Sequence, residues 1–179
     1  MLPPLPCLAL PTTMPLASMP LAAMPLAVDP AVTAVLAPTS GAPFAWSLVL
    51  AALVVLASLF PLAAARSKAD FTPADLAAPR AMLERLPAWG KRASWAHQNC
   101  FEAFSLHAPA CLLALLASHD GTAPAGLAVA AAWLHPALRL AYIGAYVTNV
   151  PPLRSLCWAA GILCTAIIYS EALRGVLQG

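Results

Sequence analysis

The chain has 179 residues, of which 61 % are hydrophobic and only 9 % are charged. Soluble domains usually contain about 25 % charged residues, so this composition cannot cover a water-facing surface, and we expect an integral membrane protein. The formal net charge of +2 is too small to indicate a nucleic-acid partner.

Residues 1–43 form a proline-rich tail of low complexity. The tail holds ten of the nineteen prolines and no lysine or arginine. Each proline removes a backbone donor and clashes with the preceding helical turn, so we predict an extended, disordered segment. The tail lacks the basic N-terminal region of a secretory signal peptide, and we assign it no function.

Four apolar stretches follow and predict an all-α membrane protein, a four-helix transmembrane bundle over residues 44–174. The first stretch has 22 residues without a charge, which gives about 33 Å of helix at ~1.5 Å per residue and is enough to cross a bilayer. Pro61 in its last turns is a candidate for a kink, which membrane helices tolerate. The predicted spans are 44–65, 95–118, 124–147 and 155–173.

A basic loop over 66–92 separates the first two spans. Within it, Thr72, Pro73 and Asp75 have the order of a helix start, with a capping residue, a proline and an acid in the first turn. We therefore predict a short surface helix or an ordered loop. The loop carries six of the nine basic residues, namely Arg66, Lys68, Arg80, Arg85, Lys91 and Arg92.

The positive-inside rule predicts the orientation. The first loop is strongly basic and the third carries Arg154, whereas the tail and the second loop, a turn over 118–122, have no lysine or arginine. We expect both termini on the non-cytoplasmic side and the first and third loops in the cytoplasm. The alanine-rich composition indicates a GC-rich bacterial genome, so the expected location is a bacterial inner membrane.

Polar residues inside the predicted spans cluster at the cytoplasmic ends. Ionisable groups cost at least ~2.5–3.5 kcal/mol near the membrane centre on insertion scales, so such a cluster indicates a binding site or an internal ion pair. In the second span, Asn99 and Glu102 lie three residues apart and share a helix face. The third span carries a polar stripe at spacings of four, three and four residues. Its members are His135, Arg139, Tyr142 and Tyr146.

Two interpretations of this cluster stay open. In the first, Glu102 pairs with Arg139 or Arg154, and the ion pair only holds the bundle together. In the second, the excess of donors over the single acid indicates a small anionic, peptide-like ligand that enters from the cytoplasm. Guanidinium groups bind carboxylates in bidentate fashion, and Glu102 is the acid suited to an amino group.

The histidines and cysteines predict no metal site, because no C-x-x-C pair or other metal-ligand spacing is present. His97 and His135 are candidates to line the site described above. We expect His107 to pack against a neighbouring helix or to form a hydrogen bond with it.

Two segments resemble the signatures of the MAPEG family, the membrane-associated proteins of eicosanoid and glutathione metabolism. The first is RASWAHQNCFEAF at 92–104, and the second is RLAYIGAY at 139–146, followed by PPLRS at 151–155. The resemblance covers about 44–174 and includes all four predicted spans. It implies a homotrimer of four-helix bundles, with glutathione bound between subunits near the cytoplasmic face.

The resemblance also implies the residues of the site. At the position of Arg154, family members activate the thiol of glutathione. Only a thiolate attacks, and a free thiol has a pKa of about 8.5, so Arg154 is expected to stabilise the anion while Ser155 donates a hydrogen bond to the sulfur. The implied glutathione-binding residues are Arg66, Gln98, Asn99, Glu102, Arg139, Tyr142 and Tyr146.

The expected function is that of a glutathione-dependent transferase or peroxidase. Its second substrate would be a lipophilic electrophile or a lipid hydroperoxide that arrives from the bilayer. Trp95 and Gln98 stand where many or several family members carry arginine, so fewer cations would hold the carboxylates. This departure favours the alternative, a non-catalytic lipid-binding membrane protein of the same fold. A third hypothesis is a membrane bundle that is held together by an internal ion pair and whose function is related neither to glutathione nor to lipid binding.

Overall fold

The structure is a computed structural model that describes residues 40–70, 72–118 and 123–178. The tail predicted over 1–43 lies outside the described residues up to position 39. Residues 119–122 of the predicted turn also lie outside them.

Five α-helices build the described part of the chain. Helices α1 (Ala42–Ala57) and α2 (Leu59–Arg66) form one stretch of 25 residues that is interrupted at Ser58. The others are α3 (Ala88–Ala117), α4 (Gly126–Val147) and α5 (Pro151–Gln178). Within the described residues, four helical stretches are long and apolar enough to cross a membrane. The predicted all-α, four-helix membrane architecture is confirmed.

Two helices extend beyond the predicted spans by four or more residues at one end or both. Helix α3 follows Pro87 and begins at Ala88 instead of near Trp95, so the last residues of the predicted basic loop are helical. Helix α5 begins at Pro151 and reaches Gln178, beyond the predicted 155–173 at both ends. Proline is tolerated in the first helical turn because the first N–H groups of a helix have no intrahelical partner.

The interruption of the first span at Ser58 has its cause in Pro61. Pro61 lacks the N–H that would bond to the Ala57 carbonyl four residues earlier, and its ring crowds that carbonyl. The Ser58 hydroxyl donates to the Val55 carbonyl at 2.6 Å. With its hydrogen used there, the Ser58 oxygen accepts from Nδ1 of His97, also at 2.6 Å. The hydrogen bond to His97 therefore holds the interrupted part of the first span against α3.

The bundle has small residues inside and large apolar residues outside. Phe44 and Ile168 are fully buried, and alanines from three helices surround them. These alanines are Ala110, Ala114, Ala128, Ala131, Ala132 and Ala172. Phe60 is 76 % exposed and Leu163 is 61 % exposed. Small residues let helices approach closely in a membrane, and large apolar side chains on the outside of the bundle suit contact with lipid.

The basic loop between α2 and α3 is ordered on the bundle. It contains two 3-10 helices, Pro73–Leu76 and Pro79–Arg85. The backbone N–H and the hydroxyl of Thr72 donate to one carboxylate oxygen of Asp75 at 2.8 and 3.0 Å, and Arg85 binds the other oxygen. Met82 of the second 3-10 helix is only 1 % exposed, because it packs against α2 and α3.

Asn149 connects α4 to α5 in a tight turn. Its φ of 63° lies in the left-handed region, which asparagine tolerates better than most residues. The N–H of Val150 bonds to the Ala145 carbonyl at 2.8 Å, and the N–H of Asn149 bonds to the Tyr146 carbonyl at 3.2 Å. This is the Schellman pattern of helix termination. Because α5 starts at Pro151, the last turn of α4 lies beside the first turn of α5.

Candidate functional site

A groove of about 290 Å³ opens where α4 ends and α5 begins. Typical ligand sites measure roughly 300–1,000 Å³, so this volume lies at the lower limit. The groove formed by the described residues of one chain is therefore small for a complete ligand site. The residues that line the groove are Tyr142, Tyr146, Arg154, Ser155 and Trp158.

Arg154 is the cation of this groove. Its guanidinium carbon lies 4.9 Å from the centre of the Tyr146 ring, within the ~6 Å range of a cation–π contact. Its backbone N–H bonds to the Val150 carbonyl at 3.0 Å, at the start of α5. The N-terminal end of a helix carries a partial positive charge. Side chain and helix end therefore both favour an anion in the groove.

The two tyrosines of the groove connect Arg154 to Arg139. The rings of Tyr142 and Tyr146 meet edge to face, with centres 5.4 Å apart. The guanidinium carbon of Arg139 lies 4.2 Å from the centre of the Tyr142 ring. A continuous row of two arginines and two tyrosines results, as the stripe on the third span predicts. Only part of this row faces the groove, since Tyr142 is 4 % exposed.

Arg139 lies behind the groove and does not line it. It is 3 % exposed, and its Nη2 donates to the backbone oxygen of Asn99 at 3.2 Å and to the side-chain oxygen of Asn99 at 2.9 Å. Arg139 therefore joins α4 to α3 and positions Asn99 and Tyr142. Nη2 of Arg139 is therefore bonded to protein groups, whereas its Nε is buried without a hydrogen-bond partner among the described residues.

Glu102 lies on the exposed flank of α3 and accepts two hydrogen bonds from its own helix. The Gln98 amide donates to one carboxylate oxygen at 3.2 Å, and the Asn99 amide donates to the other at 3.1 Å. None of the salt bridges among the described residues involves Glu102. The interpretation in which Glu102 pairs with Arg139 or Arg154 to staple the bundle is therefore wrong for this chain.

Arg66 and Gln98 line a different cavity, of about 650 Å³, between α2, α3 and the 3-10 helix Pro79–Arg85. Among the described residues, Arg66 and Arg154 line two different pockets. Gln98 lines this second cavity and also contacts Glu102 through its amide.

The histidines that the structure describes, His97, His107 and His135, lie outside the groove. The rings of His107 and His135 stack in the core with centres 3.5 Å apart, so the hypothesis that His135 lines the groove is wrong. His107 bonds to the hydroxyl oxygens of Ser47 at 2.9 Å and Thr165 at 3.2 Å, as expected of a histidine that binds neighbouring helices. His97 lines the second cavity.

Trp158 is a groove residue that the predicted set of site residues omits. It lies four positions after Arg154 on α5, so the two side chains project from the same helix face. This spacing is the sequence signal that identifies it. Trp158 is 47 % exposed and gives the groove an apolar edge toward the lipid.

A family model described as the MAPEG family matches residues 43–174 of the chain. The match includes all four membrane-crossing stretches almost in full. A comparison with curated proteins finds no match. Family membership supports a glutathione-related function in a membrane in general terms. The length of the match and the four-helix membrane fold lead to one conclusion: the chain belongs to the MAPEG family.

Proposed function

We propose that the protein is a glutathione-dependent transferase or peroxidase that acts on lipophilic electrophiles or lipid hydroperoxides. The observation that carries this proposal is the position of Arg154, which lies against Tyr146 in a groove at the start of a helix. A groove with a fixed cation and an apolar edge suits a reaction between a thiolate and a lipophilic molecule.

Arg154 would activate the thiol of glutathione electrostatically. The thiolate is the nucleophile, and a free thiol with a pKa of about 8.5 is mostly protonated at neutral pH. The guanidinium of Arg154 and the positive end of α5 stabilise the anion and so lower the pKa of the bound thiol. Ser155 lines the same groove and would donate a hydrogen bond to the sulfur. No general base is required, because the proton leaves to water.

Glu102 and Asn99 would hold the amino end of glutathione. The carboxylate of Glu102 is exposed and lacks a salt-bridge partner among the described residues, so it is available to the α-amino group. Arg139 would support this end indirectly, because it fixes Asn99 and Tyr142 from behind. A neighbouring copy in a homotrimer would supply the wall that the small groove of one chain lacks.

The lipophilic substrate would reach the sulfur from the bilayer past Trp158. In the transferase reaction, the thiolate forms a C–S bond with the electrophilic carbon, and a leaving group departs or the adduct takes a proton. In the peroxidase reaction, the thiolate attacks the terminal oxygen of the hydroperoxide and breaks the O–O bond, which yields an alcohol and a glutathione sulfenic acid. A second glutathione then reduces the sulfenic acid, and glutathione disulfide and water form.

The proposed orientation places the groove on the cytoplasmic side of a bacterial inner membrane, with both termini on the other side. The end of the bundle that contains the groove also carries the loop with six of the nine basic residues. Basic residues in short loops are retained in the cytoplasm. Reporter fusions after Gly179 would test this orientation, because a cytoplasmic reporter signal there contradicts it.

Glutathione binding to the detergent-purified protein tests the proposed function, with thiolate absorbance in the ultraviolet followed at neutral pH. We expect the wild-type protein to show a thiolate signal and Arg154→Ala to lose it. Arg174→Ala is the matched control, because Arg174 lies on the same helix in an exposed pair with Glu171, outside the groove. A signal of equal size in Arg154→Ala would contradict the role of Arg154.

A non-catalytic lipid-binding protein is the second candidate function. The structure offers a specific observation in its favour, since Arg154 is the one cation among the residues that line the groove. Leu156 beside it is 66 % exposed, which extends the apolar surface. Absence of glutathione binding at millimolar concentration, together with saturable binding of a fatty acid, would favour this candidate over the enzyme.

A further inference from the structure

Ser58 and His97 form a hydrogen bond at the break between α1 and α2. Ser58 is fully buried, and its hydroxyl oxygen lies 2.6 Å from the Val55 carbonyl oxygen and 2.6 Å from Nδ1 of His97. A hydroxyl group has one hydrogen, and a carbonyl oxygen can only accept. The hydrogen of Ser58 therefore points to Val55, and Nδ1 of His97 carries the hydrogen of the second bond.

This bond determines what the other ring nitrogen of His97 can do. In a neutral imidazole, one nitrogen donates and the other accepts, so Nε2 of His97 is an acceptor. A second proton on the ring would place another cation in the cavity that Arg66 lines, and like charges repel each other. The Phe101 ring meets the His97 ring edge to face, with centres 5.3 Å apart. His97 is therefore held as a neutral ring in one defined tautomer.

His97 and Arg66 line the same cavity, the one of about 650 Å³. Nε of Arg66 is buried without an acceptor in the described part of the chain, and none of the described residues that line the cavity is acidic. Arg66 thus offers a donor to an anionic group, while Nε2 of His97 offers an acceptor to an N–H group. A peptide-like ligand, which has both carboxylates and amides, can bind to the two residues together.

This cavity would be the part of the glutathione site that a neighbouring copy supplies, so the inference rests on the proposed function. The groove at Arg154 is small for a complete ligand site, and both pockets lie at the end of the bundle that carries the basic loop. With the thiol at Arg154 and the amino group at Glu102, the two amide N–H groups are the donors of glutathione that remain. Nε2 of His97 is an acceptor suited to one of them.

We propose that Ser58 is a positioning residue of this site, because it keeps the proton of His97 on Nδ1 so that Nε2 accepts a hydrogen bond from an amide N–H of glutathione. Helix α2 starts directly after Ser58 and ends at Arg66. The bond to His97 therefore also holds the segment that carries Arg66 against α3. One buried hydroxyl group positions both polar groups of the cavity.

Nitrogen-15 NMR of the histidine-labelled protein in detergent tests the tautomer directly. We expect the wild-type ring of His97 to carry its proton on Nδ1, and Ser58→Ala to show a mixture of both tautomers. His97→Gln identifies the signals of His97, because they are absent from its spectrum. A wild-type ring with its proton on Nε2 would overturn the proposal.

Two replacements of His97 separate the contact with the ligand from the contact with Ser58. The amide nitrogen of asparagine can take the place of Nδ1, whereas the amide oxygen of glutamine can reach the place of Nε2. We expect His97→Asn to bind glutathione about fivefold more weakly, the usual effect of one neutral hydrogen bond, and His97→Gln to bind it nearly as the wild type does. Equal affinities or the opposite order would mean that His97 only joins the helices, and would overturn the proposal.

Ser58→Ala should raise the KM for glutathione about fivefold and leave kcat unchanged, because the lost interaction is the same in the ground state and the transition state. Ser58→Thr keeps the hydroxyl group and should restore the wild-type KM. Ser170→Ala is the matched control, since its hydroxyl also donates to a carbonyl three residues earlier but lies outside both pockets. An unchanged KM in Ser58→Ala, or an equal rise in Ser170→Ala, would overturn the proposal.

A circular-dichroism melt shows whether each variant is folded, and the two replacements of His97 decide the matter if Ser58→Ala is not. Failure of the proposed function gives a different result. If the wild-type protein binds no glutathione at millimolar concentration, the proposed function and this inference are both wrong. If the wild-type protein binds glutathione and His97→Asn binds it equally well, only this inference is wrong.

Discussion

Arg139 donates through one nitrogen, Nη2, to both the backbone oxygen and the side-chain oxygen of Asn99. A single guanidinium thereby joins α4 to α3 below the groove. Since Arg139 is only 3 % exposed, these bonds form in a region that lipid and water hardly reach. Asn99 is in turn bonded to Glu102, so the two proposed functions of this region, ligand binding and helix packing, share residues.

Replacement of Asn99 by leucine should destabilise the bundle. The change removes the side-chain acceptor of Arg139, and a hydrogen bond to a charged group contributes about 1.5–3 kcal/mol. Thermal unfolding in detergent, followed by circular dichroism, should show a lower midpoint. Ser105→Ala is the control, since the Ser105 hydroxyl bonds only to the Glu102 carbonyl of its own helix. Equal midpoints for Asn99→Leu and the wild type would mean that the Arg139 contact contributes no stability.

Arg154→Ala should lower the transferase rate at pH 7 by up to about 30-fold, because a thiol with a pKa of about 8.5 is only about 3 % thiolate at that pH. Without the guanidinium, the pKa of the bound thiol rises toward about 8.5. The thiolate fraction then increases with pH, so the defect should shrink between pH 7 and pH 9. A rate profile over this range for wild type and variant gives the measurement. A defect that is constant with pH would contradict thiolate stabilisation.

Glu102→Gln should weaken glutathione binding and leave the chemical step unchanged. The substitution keeps the shape of the side chain but removes the charge that binds the amino group. An interaction made equally in the ground state and the transition state affects KM and not kcat. We expect an increase in KM of about tenfold or more, from a charged hydrogen bond of roughly 1.5–3 kcal/mol. A normal KM in Glu102→Gln would remove the assignment of the amino group to Glu102.

The 66–92 loop should loosen only in acid. The pKa of Asp75 lies below its ordinary value of 3.8, because the Thr72 backbone N–H donates to it and the Thr72 hydroxyl and Arg85 add to the effect. Because the pKa of Asp75 is lower in the folded loop than in the unfolded chain, the ionised carboxylate stabilises the folded loop at every pH above 3.8. This stabilisation is lost as the pH falls through the pKa of Asp75 in the folded loop. The protection factors of the loop amides, obtained from hydrogen exchange by mass spectrometry after division by the intrinsic exchange rate at each pH, should therefore be constant near neutral pH and fall at the acid end. In Asp75→Asn, the loop should exchange faster at neutral pH and lose this acid dependence.

Much of the fold follows from simple features of the sequence. Uncharged runs are long enough for four membrane crossings, and the Arg139–Tyr146 stripe at spacings of three and four predicts a polar row on one helix. The structure contains that row. Helix ends were predicted less well, since α3 begins directly after Pro87 and α5 begins at Pro151, both ahead of the predicted spans.

The sequence could not predict which members of the polar stripe face the groove. A helical stripe defines a face, but the rotation of α4 against α3 decides that Arg139 points to Asn99 and that His135 stacks on His107. Nor does sequence spacing give the side of α3 on which α2 packs, and this side decides that Arg66 lines the second cavity. The side chains of Gln98 and Asn99 donate to Glu102 from the same stretch of helix. These hydrogen bonds compete with an ion pair between Glu102 and an arginine of another helix.

The Schellman turn at Asn149 limits how copies of the chain can share a site. The turn is so short that Tyr146 and Arg154, on either side of it, belong to the same groove within one polypeptide. However many copies assemble, no exchange of helices between them can supply the tyrosine from one chain and the arginine from another. Coexpression of a chain that lacks Tyr146 with a chain that lacks Arg154 therefore cannot rebuild an intact pair, and complementation between the two mutants should fail.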